Sequence, residues 1–202
     1  MIVAGLTGSI AMGKTTVAGM FAALGAPVFD ADAAVREFYR SPGAQAVEAA
    51  FPGVIEGGEV NREKLAAATL ADPRALERLE AIVHPEVARL RRSFLERAAA
   101  QGRRVVVVDV PLLIETAGHA AVDLVLVVSA SEAAQRARAL GRPGMSAAKF
   151  EAILARQTPD REKRRLAHCV IDTNGALEQT RAQVAGVLRA IAAMPGGRGA
   201  DA

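Results

Sequence analysis

Aromatic residues are scarce in this 202-residue chain: six Phe, one Tyr and no Trp, 3% of the total. Its core therefore has to be built from Ala, Val, Leu and Ile. It also lacks the flat rings that stack bases, which argues against a nucleic-acid-binding role. Cysteine is reduced to one, Cys169. No intramolecular disulfide can form, a reducing compartment is expected, and the cytoplasm is the default. No apolar run reaches the roughly 18 residues of a membrane span. The opening MIVAGLTG carries no basic leader, and no internal repeat is visible. The Asn-Lys-x-Asp pattern of GTPases is missing too.

What remains is an ordinary globular composition, 51% apolar and 23% charged. That is enough for one substantial domain with inserts and short for two full ones. Lys+Arg number 25 and Asp+Glu 22, but the excess is local. Arg136, Arg138, Arg142, Lys149, Arg156, Arg161, Lys163, Arg164 and Arg165 face only Glu151, Asp160 and Glu162 in one window. Such a patch suits a compact polyanion better than a long duplex. The Arg161–Arg165 run is read as a solvated face.

Short β-branched runs alternate with helical stretches. Ile2–Leu6, Pro27–Phe29, Arg104–Val110, Asp123–Ser129 and Cys169–Asp172 read as strands. The continuous valines of RVVVVDV are those of a strand covered on both faces. Helices are expected over about 14–24, 31–40, 131–141, 146–157 and 176–194. Residues 44–100 read as helical, interrupted by turns at Pro52-Gly53 and Gly57-Gly58, with His84-Pro85 breaking or starting a helix. The pattern predicts an α/β fold with a parallel sheet. Its core is expected at about 1–30, 101–135 and 166–194, with a helical insert at 31–100, a lid at 136–165 and a frayed tail at 195–202.

Gly8-x4-Gly13-Lys14-Thr15 matches the phosphate-loop pattern between a strand and a helix. Backbone amides from Gly8 to Thr16, through Ser9, Ile10, Ala11 and Met12, would cradle phosphates. Lys14 adds a point charge and the Thr15 hydroxyl a Mg²⁺ ligand. Ala11 fits such a turn only if its φ is negative. The loop predicts binding of ATP with Mg²⁺.

Asp30-Ala31-Asp32 closes the second strand, where chemistry gathers in open parallel sheets. A carboxylate there can accept a proton from an attacking alcohol. Either Asp can equally cap the next helix. Asp109, after four valines, is a weak candidate for the metal side. Arg138 and Arg142, four apart, are expected on one helix face, suited to phosphate oxygens. His119 and His168 read as surface or structural residues, and Cys169 as a small buried one.

GLTGSIAMGKTTVA, LGAPVFDADAAVR, LEAIVHP, VVVDVPLLIE, QRARALGR and VIDTNG, in this order, resemble the dephospho-CoA kinase family over Met1 to about Met194. The resemblance implies a P-loop NTPase three-layer sandwich with a helical substrate-binding insert and a helical lid. It implies phosphorylation of the ribose 3′-hydroxyl of dephospho-CoA by ATP. The substrates are thus small molecules, with no nucleic acid or membrane partner and a monomer by default. It makes Asp32 the base and Arg142 the lid arginine reaching the transferred phosphate. Arg138 and Asn174 fall near the nucleotide; Arg62, His84, Pro111, Leu112, Leu113 and Glu115 fall near the acceptor. Ser9 and Ala11 stand where many members have glycine. Thr173 and His168 also depart from common residues, a change expected to leave the chemistry untouched. A kinase of another small acceptor and a non-catalytic nucleotide sensor are the rival readings.

Overall fold

The computed structural model describes residues 1–69 and 72–196; the expected tail lies outside them from residue 197 on. The chain folds as two compact units, Met1–Phe29 with Leu95–Ala202, and Asp30–Phe94.

The first unit opens with β1 (Ile2–Thr7) and α1 (Lys14–Ala23), and β2 (Val28–Asp30) leads out of it. After the second unit come β5 (Val105–Asp109), β6 (Leu124–Ser129), α6 (Glu132–Leu140), α7 (Ala147–Leu154), α8 (Asp160–Leu166), β7 (Cys169–Asp172) and α9 (Leu177–Ala193). The sheet order is β2-β5-β1-β6-β7, and β1 pairs in parallel with β5 and β6, as β6 does with β7. Alternation explains the apolar runs. Leu126 and Val128 pack with Val17, Phe21, Val184 and Ile191 on one face. Val125 and Val127 pack with Leu113, Ile114 and Val122 on the other. Each fully buried side chain of this kind contributes about 1.5–3 kcal/mol, so both faces must stay covered.

The second unit holds α2 (Ala31–Phe38), α3 (Ala44–Ala50), β3 (Ile55–Glu56), β4 (Glu59–Val60), α4 (Arg62–Thr69) and most of α5 (Pro73–Ala100). Phe38, Tyr39 and Phe51 sit in its core with Val47, Val60, Leu65 and Val83. The few aromatics of the chain are thus concentrated where the unit is smallest and large side chains bury most area.

Three expectations are corrected. Residues 55–60 form an antiparallel hairpin rather than helix with a turn. Gly57 and Gly58 both have positive φ, 61° and 88°, as the two-residue turn that matches strand twist requires. Helix α5 runs unbroken through Pro85, so its neighbouring contacts offset the lost backbone bond. Finally, α8 falls in the stretch expected to be mostly helical, but within it Lys163 is fully buried instead of solvated. No helix among the described residues is long and apolar enough to cross a membrane.

Candidate active site

The loop after β1 forms where the chain must pass close to β6. A Cβ on Gly8 would lie 2.6 Å from the Val128 carbonyl oxygen, so no larger residue fits. Gly13 (φ 91°) is the N-cap of α1, and the first turn carries no acidic side chain. Its first N–H groups have no side-chain cap, which leaves them available to an anion.

Ala11 contradicts the expectation of a negative φ: it sits at φ 62°. Left-handed backbone costs a non-glycine residue about 1–2 kcal/mol. Two terms offset this. Glycine would lose about 0.5–1 kcal/mol more backbone entropy, and the buried Ala11 methyl packs with Ala139 and Phe150, worth about 0.8 kcal/mol. The sums nearly cancel, so Ala11→Gly is expected to shift stability by less than about 1 kcal/mol, read as an unfolding midpoint in urea. A change several times larger would show that the loop does not hold this conformation.

The peptide of Ile10 is held at both ends. Its N–H donates to Gln157 Oε1 at 3.0 Å, and its carbonyl accepts from Gln135 Nε2 at 2.8 Å. Met12 is buried; its carbonyl accepts from Thr173 Oγ1 at 2.8 Å, and its sulfur accepts from the Ala130 N–H. Lys14 Nζ lies 2.5 Å from Asp109 Oδ1, and Asp109 is 4% exposed. The Lys14 ammonium is thereby held at the mouth of the loop. Thr15 is exposed, and its hydroxyl has no partner among the described residues.

Beside the loop lies a cleft of 310 Å³ lined by Gly13, Thr16, Arg138, Arg142, Thr173 and Thr180, among others. The Arg138 guanidinium donates to Thr173 Oγ1 (3.0 Å) and to its carbonyl (2.5 Å). Arg142 lies beyond the end of α6, whose last helical residue is Leu140. The two arginines therefore do not share a helix face, yet both line this cleft. Asn174 lies apart: its Oδ1 accepts from the Ser131 N–H at 2.8 Å and its amide nitrogen donates to Asp172. Thr173 joins the loop to Arg138. A threonine in a short polar stretch gives no sequence signal for that role. The glutamines at 135 and 157 were missed for the same reason.

The Pro111–Glu115 segment divides. The Pro111 carbonyl accepts from Thr7 Oγ1 at 3.0 Å, Leu112 is exposed, and Leu113 belongs to the core. Glu115 accepts from the Thr158 N–H at 2.8 Å and lies 2.8 Å from Lys163 Nζ. Glu115 thus fastens the α7–α8 segment to the end of β5. Desolvation raises its pKa, but the Lys163 ammonium and the backbone N–H donors outweigh it and hold the carboxyl below the usual range. Asp160 Oδ2 accepts from the buried Ser129 hydroxyl at 2.7 Å, a second tie. His168 Nδ1 accepts from the Val125 N–H, a structural role as expected. The Cys169 thiol is only half-buried, and burial pushes its pKa up.

In the other unit, Asp30 caps α2, its Oδ1 accepting from the Ala33 N–H at 2.8 Å. That leaves Asp32, exposed in the first turn with no partner among the described residues. Of the two carboxylates of the Asp-x-Asp pair, the first does the capping. A cleft of 470 Å³ is lined by Arg36, Tyr39, Arg40, Asn61 and Arg62, among others. Arg36 faces Asp30 at 3.5 Å and Arg40 faces Glu59 at 2.5 Å. Arg62 has no carboxylate partner among the described residues. Burial raises the Tyr39 pKa, and the Arg62 charge partly opposes it. His84 is exposed on α5. No group of three or more His, Cys, Asp or Glu gathers among the described residues.

The chain is similar to known proteins across nearly its whole length. The family model for dephospho-CoA kinase matches residues 1–179. A dephospho-CoA kinase of Bradyrhizobium diazoefficiens is 51% identical over 195 residues, 96% of this chain and 98% of that one. The crystal structure of TT1252 from Thermus thermophilus superposes with a TM-score of 0.82 at 34% identity, covering 94% and 97% of the two chains. A dephospho-CoA kinase from Campylobacter jejuni, 19% identical, shares the fold with a TM-score of 0.63 over 94% and 96%. On these matches and the phosphate-loop geometry, the chain belongs to the dephospho-CoA kinase family.

Proposed function

We propose that the chain transfers the terminal phosphoryl group of ATP to the ribose 3′-hydroxyl of dephospho-CoA, giving CoA and ADP, the final step of CoA synthesis. The observation that carries this reading is the loop itself: open helix amides with Lys14 held beside them by Asp109, and Arg138 and Arg142 lining the adjoining cleft. Phosphoryl transfer needs positioning and charge stabilisation more than covalent help from the protein. The loop amides hold the β-phosphate, and Lys14 bridges β- and γ-phosphates. Arg142 neutralises charge on the transferring group.

The donor set fits Mg²⁺. The Thr15 hydroxyl and the Asp109 carboxylate are hard oxygen donors of the kind Mg²⁺ takes. Thr15 and Asp109 would hold the ion, which would supply positive charge against the phosphates. Asp32 takes the proton from the 3′-hydroxyl, the oxygen attacks the γ-phosphorus, and the bond to the β-phosphate oxygen breaks. Arg62, without a carboxylate partner among the described residues, supplies charge for the acceptor's phosphates, with His84 on the same unit. Arg62→Ala is expected to raise KM for dephospho-CoA about tenfold, a charge-assisted hydrogen bond being worth about 1.5–3 kcal/mol, with KM for ATP unchanged. An equal rise in both would remove Arg62 from the acceptor side.

The direct test is a panel of acceptors offered to purified protein with ATP and Mg²⁺, with ADP release as the readout. Dephospho-CoA is expected to turn over, and nucleoside monophosphates are not. Faster turnover of a monophosphate would favour the rival kinase, and ATP binding without any turnover would favour the sensor.

A further inference from the structure

Ile10 lies in the phosphate loop, and neither of its backbone polar groups is bonded within the loop. We infer that Gln135 and Gln157 are positioning residues that set the loop for ATP by gripping that one peptide unit from two sides. Gln135 lies on α6 and is 5% exposed; Gln157 lies between α7 and α8 and is half-buried. The backbone fixes the orientation of both amides, because an N–H can only donate and a carbonyl only accept. Gln157 must therefore present its oxygen (3.0 Å) and Gln135 its nitrogen (2.8 Å).

The grip matters because the next residue, Ala11, is held at φ 62°, a conformation that alanine leaves when nothing enforces it. With Ile10 released, the following amides are no longer aimed at one point. Gln157 also shares its segment with Thr158 and Lys163, which are tied to Glu115. The α7–α8 segment is thereby a brace for the loop as well as part of a lid. This inference rests on ATP being the phosphoryl donor, and wild-type turnover in the same assay tests that separately.

The test exploits the opposite demands of the two positions. Gln157→Met keeps the length and loses the acceptor; Gln157→Glu keeps an acceptor. Gln135→Met loses the donor; Gln135→Glu sets an oxygen against the Ile10 carbonyl. KM for ATP and kcat are measured below the melting temperature of every variant. Gln157→Met is expected to raise KM for ATP about tenfold, since it leaves the part-buried Ile10 N–H without its acceptor, with kcat within about twofold. Gln157→Glu is expected to restore most of that loss, and Gln135→Glu to be worse than Gln135→Met. A general repulsion of ATP by the added carboxylate would instead make Glu worse than Met at both positions. That pattern overturns the inference, as does a Gln157→Met enzyme with unchanged KM for ATP. Position 157 decides alone if the buried position 135 does not tolerate change.

Discussion

Asp32→Asn is expected to lower kcat by about a thousandfold, within the 10²–10⁴ that general base catalysis supplies, with the Kd for ATP unchanged. The reason lies in how its helix begins. Asp30 is engaged by the cap of α2 and by Arg36, which makes it the more committed of the two carboxylates. Asp32 is exposed in the same first turn, without a partner among the described residues, and keeps both oxygens for a substrate. Asparagine preserves shape and polarity but accepts no proton. Stopped-flow turnover and calorimetric ATP titration measure the two quantities. A variant that loses ATP binding along with turnover would give Asp32 a structural role. Asp30→Ala, by contrast, is expected to weaken the helix and leave the chemistry in place.

The second large effect concerns stability. Lys163 is fully buried, and its ammonium lies 2.8 Å from Glu115. Lys163→Met leaves that carboxylate without its cation, though Thr158 still donates to it. Breaking a buried pair from one side costs about 3–5 kcal/mol, and the remaining donor places this case near the lower figure. For a chain of this length, about 3 kcal/mol lowers Tm by roughly 6–12 °C. The double variant Glu115→Gln with Lys163→Met is expected to recover most of the loss, since no charge is then stranded. A single variant that melts within a degree of wild type would show the pair to be solvated. The pH dependence has a fixed sign. The Glu115 pKa is lowered by folding, so its contribution is present above the unfolded carboxyl range and disappears as pH falls through the folded value. The difference between wild type and Glu115→Gln therefore closes in acid.

The parallel sheet was legible because its strands are apolar on both faces, a pattern that RVVVVDV and DLVLVVS display without ambiguity. The phosphate loop was legible because its spacing is set by phosphate geometry. The hairpin at 55–60 was missed although its glycines were noticed, because each strand has only two residues and shows no period. Pro85 misled for a local reason: a proline forbids one backbone bond, while the rest of a 28-residue helix remains intact. Lys163 misled because its neighbours in the run are exposed, and only tertiary packing distinguishes it from them. Ala11 was judged on intrinsic preference, which packing against Phe150 and the grip on Ile10 override. Capping by Asp30 needed no tertiary information, and that assignment isolates Asp32.

The most direct measurement is a crystal structure with a non-hydrolysable ATP analogue, Mg²⁺ and dephospho-CoA bound together. The account requires an Asp32 carboxylate oxygen within about 2.6–3.2 Å of the 3′-hydroxyl, directly or through one water, with that hydroxyl in line with the γ-phosphorus. A closed complex in which another group occupies that place, and Asp32 points into solvent, would contradict it.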